Sequence, residues 1–387
     1  MKACGIIAEY NPFHEGHMHH IDETRRNTGA DCIIAVMSGN FVQRGEPAAM
    51  DKWTRAETAV RNGVDLVIEL PYLYATQSAS QFARGGVRLL ALAGCDAMSF
   101  GSECGNLENL QEIADTPVNP DHIRTMMKTG TGYPKAYSLL TASMMPNDIL
   151  AVCYLRELKN TQIRPVLVER QGNYLDPEIG EWASGLALRR AWAEGKPLPA
   201  ATPMRDVMTA GKPVIMERYY TYVRTLLLTM KRERIADCFL ISEGLEKHLK
   251  ETAEKNYTYE GFLRDAVTSR YTAGRIRRSL LQIMNQVTKE EARSLGEPDT
   301  LRVLAFNETG QQYLHQLRNR DVRIASRFAD VPCPGGSWNT APRWSTLPCW
   351  LPQKPSGSAA VKSAELISSE KPAGNTRPVS VMLTLRL

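Results

Sequence analysis

The sequence predicts an α/β protein: a doubly wound parallel sheet followed by a second, mostly helical unit. Three observations carry that expectation. Through residues 1–100, short apolar runs alternate with stretches of helix length. The runs are apolar at consecutive rather than alternate positions, as in strands buried on both faces. From about Pro177 onward the strand signals thin out and helical spacing takes over. A regular β-α-β-α order needs crossover connections, and crossovers on both faces make a parallel sheet.

Taken in order, strands are expected at 2–8 (KACGIIA), 32–37 (CIIAVM), 64–70 (VDLVIEL) and 96–100 (DAMSF), each bounded by turn residues. Helices are expected at 17–28, stopped by Gly29; at 51–62, with Asp51 as N-cap and Gly63 as stop; and at 76–93, stopped by Gly94. A helix at 149–158 (ILAVCYLREL) and a fifth strand at 163–170 (IRPVLVER) complete a first unit, residues 1–176. Residues 177–330 form the second unit, helical except for a strand–helix–strand reading at 301–326. Residues 331–387 are rich in Pro, Gly and Ser without a sustained period and are expected to be irregular.

Composition narrows the class. A chain of 387 residues with 43% hydrophobic residues can bury a sizeable core. It contains no apolar run long enough for a membrane span and no signal-peptide pattern at its start, so a cytoplasmic protein with no membrane partner is expected. The eight cysteines are scattered without a CxxC pair, which points to buried thiols rather than disulfides or a thiolate zinc site. A net charge of +5 is too mild to imply a nucleic-acid partner; only clustering can do that.

Chemistry is expected at the carboxyl ends of the parallel strands, where open α/β sheets bind ligands. Each of the first four strands runs into an unusual polar stretch: EYNPFHEGHMHH, SGNFVQRGEPA, ELPYLYATQSASQFA and FGSECGN. The four histidines of the first do not make a metalloprotease site, because H-E-x-x-H would need histidine where Met18 stands. A phosphate-handling turn fits better. Pro12 and Gly16 frame a tight strand-to-helix connection whose backbone N–H groups attract an anion, with His14 and His17 at the mouth as hydrogen-bond donors. His19 and His20, one turn on, are equally well explained as a solvated helix face. Farther on, TSRYTAGRIRR (268–278) places Arg270, Arg275, Arg277 and Arg278 around Tyr271 with no acid, a pattern suited to RNA phosphates and base stacking.

HEGH at 14–17 resembles the HxGH motif of the nucleotidyltransferase superfamily, with its Rossmann-like sheet. The wider set GIIAEYNPFHEGHMHH, MSGNFVQRGEPA, GVDLVIELPYLYATQSASQFA, FGSECGN, ISEGLE and SRYTAGRIRR resembles the bacterial tRNA(Met) cytidine acetate ligase family over residues 2–326. The resemblance implies an ATP-dependent ligase. It would activate acetate as acetyl-adenylate, then transfer acetyl to N4 of the wobble cytidine of elongator tRNA(Met), with Mg²⁺ carried by the phosphates and no DNA partner. It implies ATP contacts at Ile7, Ala8, Glu9, Tyr10, Asn11, Pro12, Phe13, His14, Glu15, Gly16, His17, Met18, His19 and His20, and at Gly101, Asn147 and Arg170. His14 and His17 would be the catalytic pair.

Ser38, Asn40, Gln43 and Arg44 are candidates for acetate or target-base contacts. One departure lies in the second phosphate motif of the superfamily, of S-x-T-x-x-R type: ASGLALRR offers Ser184 and Arg189 but has Leu186 in place of threonine. The alternative to the ligase is a small-molecule adenylyl- or cytidylyltransferase that uses the same HxGH chemistry without tRNA. The basic 268–278 stretch favours the RNA substrate.

Overall fold

The computed structural model describes residues 1–116, 144–169, 183–242, 244–294, 296–326 and the two-residue strand at 382–383. Its centre is an eight-stranded sheet of order β10-β8-β5-β2-β1-β6-β7, with β9 beside β8, where β8 is Thr300–Phe306, β9 Arg323–Ala325 and β10 Met382–Leu383. The parallel part comprises β1 (Ala3–Ala8), β2 (Cys32–Ser38), β5 (Leu66–Leu70), β6 (Ala97–Ser102) and β7 (Arg164–Glu169). Between β2 and β5 a small hairpin, β3 (Phe41–Val42) and β4 (Glu46–Pro47), stands off the sheet.

The chain builds β1, β2 and β5 outward on one side, then returns to lay β6 and β7 on the other side of β1. The order therefore reverses between β1 and β6, and a crevice opens at their carboxyl ends. That crevice receives the HEGH loop from β1 and Gly101 from β6.

Burial explains the unbroken apolar strands. All seven residues of β2 are buried; Ile34 and Val36 pack into the core on one face of the sheet, Ile33 and Met37 into the core on the other. Each fully buried branched aliphatic side chain contributes about 1.5–3 kcal/mol, so both faces must be covered. One face carries helices Ala79–Leu92, Pro146–Leu158 and Glu308–Leu317; the other carries Glu15–Thr28, Lys52–Arg61 and Gly185–Ala193. The expected cap holds: Asp51 accepts from the backbone N–H groups of Trp53 and Thr54.

Several boundaries differ from the sequence reading. The helix expected at 76–93 is shorter, Ala79–Leu92, because Ser78 in extended geometry starts it; a separate short helix, Tyr72–Ala75, precedes it. Residues 183–208, read as part of the helical unit, supply Leu188, Trp192, Met204 and Met208 to the core of the sheet. Residues 300–325 do likewise: β8 (Thr300–Phe306) pairs antiparallel with β5, and β9 (Arg323–Ala325) extends it. The helical body with its own core thus runs from Met216 to Met284, built on helices Met216–Thr229, Leu245–Lys255, Tyr259–Ala266 and Ala273–Asn285. Local periodicity could not show that the chain leaves the sheet and comes back, since only pairing partners reveal it.

Within the tail expected to be irregular, β10 (Met382–Leu383) pairs antiparallel with β8; the rest of 331–387 lies outside the described residues. Cys4, Cys32, Cys95, Cys153 and Cys238 are buried free thiols, while Cys104 is exposed. Among the described residues no helix is long and apolar enough to cross a membrane.

Candidate active site

The loop after β1 is shaped by two unusual backbone features. Tyr10 has φ 48° and the Asn11–Pro12 peptide bond is cis. Phe13 is fully buried as the plug beneath the loop, and Asn11 Oδ1 accepts the Ala49 N–H at 2.8 Å. The chain then enters helix Glu15–Thr28 with His14 at the N-cap in extended geometry. His17 Nδ1 accepts the His14 backbone N–H at 3.2 Å, the part a glutamate plays in an ordinary capping box. With Nδ1 accepting, the neutral ring carries its proton on Nε2. The two imidazoles lie 3.8 Å apart, and the Tyr10 ring meets His17 edge-on at 4.9 Å.

A second helix start faces the first. Ser184 caps helix Gly185–Ala193 by accepting the Ala187 N–H at 3.0 Å. Arg189 reaches back and donates to the Asn11 carbonyl at 2.6 Å, tying this helix to the HEGH loop. Gly185 permits the approach: a Cβ there would stand 3.2 Å from the Asn11 carbonyl oxygen. Two helix N-termini and Arg189 therefore border one cavity, an arrangement that favours polyphosphate. Leu186 lines the same wall with an apolar side chain where a hydroxyl was expected.

At the end of β6, Asp148 accepts from the Ser102 hydroxyl and from the backbone N–H groups of Glu103 (2.9 Å) and Cys104 (3.2 Å). This carboxylate holds the turn that presents Gly101, and neighbouring Asn147 donates to Glu103. Opposite, Glu9 accepts the Gln43 N–H at 2.8 Å, and burial pushes its carboxyl above the ordinary range despite Arg44, Arg189 and Arg55 nearby. Gln43 Nε2 is buried and has no hydrogen-bond partner among the described residues. An amide donor held this way costs about 1–3 kcal/mol until an oxygen atom meets it.

One cavity collects most of the residues singled out from the sequence. Ile7, Ala8, Glu9, Tyr10, Asn11, Pro12, His14, Gly16, His17, His19 and His20 line it, together with Gln43, Arg44, Gly101, Asn147, Ser184 and Arg189. Phe13 and Met18, expected among the ATP contacts, pack into the core beneath instead, and Glu15 is not on the cavity wall. His20 is more than a solvated helix face: its Nε2 lies 2.9 Å from Ser99 Oγ. Ser38 and Asn40 do not line the cavity. Ser38 is fully buried, and Asn40 Oδ1 accepts the Lys52 N–H at 3.1 Å. Arg170 lies outside the described residues.

The basic segment is not in the cavity. Arg270 is exposed, its guanidinium 5.5 Å from the Tyr271 ring centroid. The other three are half-buried and engaged within the protein: Arg275 donates to the Leu240 carbonyl at 2.7 Å, Arg277 pairs with Glu46 at 2.7 Å, and Arg278 donates to the Gln43 carbonyl at 3.4 Å.

The sequence reading passed over Arg55. It is fully buried and donates to the carbonyls of Glu9 (2.6 Å), Ser38 (3.1 Å), Gly39 and Met50 (3.1 Å), clamping the ends of β1 and β2 together. The available signal was an arginine on the apolar face of its helix, beside Ala56, Ala59 and Val60. Lys52, Glu69 and Arg302 were missed as well. Lys52 Nζ and Arg302 Nη1 each stand 2.7 Å from the Glu69 carboxylate behind the β2 loop.

Comparison with known proteins agrees with this geometry. Residues 1–333 match the HIGH Nucleotidyl Transferase family. The chain is 38% identical over 329 residues to the tRNA(Met) cytidine acetate ligase of Limosilactobacillus reuteri, covering 82% of this chain and 87% of that one. It is 34% identical over 370 residues to the enzyme of the same name from Bacillus subtilis, covering 86% and 89%. Thermotoga maritima TmcAL superposes with a TM-score of 0.78 in its apo form and 0.76 with alpha-thio ATP bound, at 32% identity over 85% of this chain and 86% of that one.

Proposed function

This chain belongs to the HIGH nucleotidyl transferase family, among its tRNA(Met) cytidine acetate ligases, and from that premise we infer that it is an ATP-dependent ligase joining acetate to a cytidine of tRNA(Met). The observation that carries the reading is the convergence of two helix N-termini, His14, His17 and Arg189 on one cavity at the point where the strand order reverses.

In the first step an acetate oxygen attacks the α-phosphorus of ATP, the bond to the β-phosphate oxygen breaks, and pyrophosphate leaves with acetyl-adenylate formed. Charge builds on the phosphate oxygens, and fixed donors there gain most in the transition state. His17, with Nε2–H as donor, and His14 serve the α-phosphate and the leaving group. The N-termini at Gly16 and Gly185 and the Arg189 side chain hold the remaining oxygens. Gly101 and Asn147, on the β6 side of the crevice, take the nucleoside, with Arg170 beyond β7 assigned by resemblance.

Gln43 Nε2 is the donor we assign to acetate, with Arg44 beside it as the balancing charge. Mg²⁺ is assigned to the phosphate oxygens, matching its preference for oxygen ligands and retained waters. In the second step N4 of the wobble cytidine attacks the acetyl carbonyl, AMP leaves, and N4 loses a proton to give N4-acetylcytidine. The helical body, with exposed Arg270, is assigned to elongator tRNA(Met). We place the reaction in the cytoplasm with its tRNA substrate, and assign no DNA partner.

The test is incubation with ATP, acetate and unmodified elongator tRNA(Met), followed by nucleoside mass spectrometry. N4-acetylcytidine that appears only with both ATP and acetate is the expected result. Its absence, alongside nucleotidyl transfer to a small acceptor, would move the protein to the small-molecule class.

A further inference from the structure

The hairpin β3–β4 stands between the cavity and the helical body, and both hold it. On the cavity side the Gln43 N–H donates to Glu9, and Gln43 and Arg44 line the wall. On the other side Phe41 is buried in the core cluster of the helical body, and its ring meets Tyr72 edge-on at 5.6 Å. Helix Ala273–Asn285 then grips the tip: Arg277 pairs with Glu46 at 2.7 Å, both side chains 28% exposed, and Arg278 donates to the Gln43 carbonyl. Gly45, at φ +81°, lies so close that a Cβ there would meet the Arg278 backbone nitrogen at 2.5 Å. The tip therefore rests backbone to backbone on the second turn of that helix.

We propose that Arg277 and Arg278 are positioning residues of the adenylation site: through Glu46 and the Gln43 carbonyl they set where the Gln43 amide and Arg44 stand in the cavity. The proposal rests on acetate activation in that cavity and goes beyond it, because it removes two of the four clustered arginines from the RNA surface. A half-buried ion pair that also fixes a loop loses little fold stability when broken, but it releases the loop to sample many positions. The cost falls on the substrate that the loop meets.

The experiment compares wild type with Glu46→Gln, Arg277→Ala and the reversed pair Glu46→Arg with Arg277→Glu, using acetate-dependent ATP–pyrophosphate exchange without tRNA. Each single change is expected to raise KM for acetate about tenfold, equivalent to about 1.4 kcal/mol, with a smaller change in kcat. The reversed pair is expected to recover most of the loss. Amide hydrogen exchange of residues 41–47 is expected to speed up in both single variants, whatever the activity.

Glu46→Gln also separates the roles. If Arg277 were a tRNA phosphate ligand, removing its acidic partner would strengthen tRNA binding and leave exchange untouched, and that pair of results overturns the proposal. Unchanged protection of 41–47 overturns it too. Wild-type exchange that ignores acetate would instead strike the reading of the cavity, while the hydrogen-exchange arm still decides the role of the arginines.

Discussion

His17 accepts the backbone N–H of His14 through Nδ1 at 3.2 Å, with the two rings 3.8 Å apart. The first histidine thus sits at the helix start, while the second caps it and keeps its proton on the other ring nitrogen. His17→Ala is expected to lower acetate-dependent exchange by about 10²–10³, the size of one lost transition-state donor. The effect should fall on kcat. A change confined to KM for ATP would assign His17 to ground-state binding alone.

Arg55 offers a test of stability. Its guanidinium satisfies carbonyls at the ends of β1 and β2, and each acceptor left buried without a donor costs about 1–3 kcal/mol. Arg55→Ala should therefore melt well below wild type, and Arg55→Lys, with one point charge in place of a planar fork, should fall between them. A lysine variant as stable as wild type would show that charge, not the fork, holds the strand ends.

Glu9 predicts a pH dependence. Burial raises its carboxyl above the ordinary 4.5, so its proton is held more tightly in the folded than in the unfolded chain. The associated stability is fully present below pH 4.5 and is lost as pH rises through the folded value. Glu9→Gln keeps an acceptor for the Gln43 N–H without the buried charge. Its melting temperature should exceed wild type at pH 7, and the difference should shrink as pH falls toward 4. A gap that stays constant with pH would show that Glu9 does not titrate in this range.

Arg270 is the exposed member of the basic cluster. Arg270→Ala should weaken tRNA binding and reduce the slope of log affinity against log salt by about one, with tRNA-free exchange unaffected. Equal affinity for both proteins at low and high salt would take this residue off the RNA surface.

Much of the catalytic side is legible in the sequence because its information is local. HEGH follows an apolar strand directly, FGSECGN follows another, and parallel sheets present such loops at one edge whatever the rest of the chain does. Phe13 and Met18 show where that reading stops. Both lie inside the stretch expected to contact ATP, yet Phe13 plugs the loop from below and Met18 lies on a helix that turns successive residues by about 100°, so part of the contiguous motif faces the core. The arginine cluster shows it again. Spacing put Arg275, Arg277 and Arg278 together as RNA ligands, but Leu240, Glu46 and Gln43 occupy them, and those partners lie far away in the chain.

The sequence by itself determined the strands of the parallel sheet, their two-sided burial and the start of the first helix at HEGH, because each depends on residues next to one another. Only the tertiary structure decided that 183–208 and 300–325 return to the sheet, that Arg55 clamps two strand ends, and that a helix of the second body grips the hairpin beside Glu9. Those contacts join residues tens to hundreds of positions apart, and no local pattern of charge or hydrophobicity encodes which distant carbonyl or carboxylate will meet a buried cation.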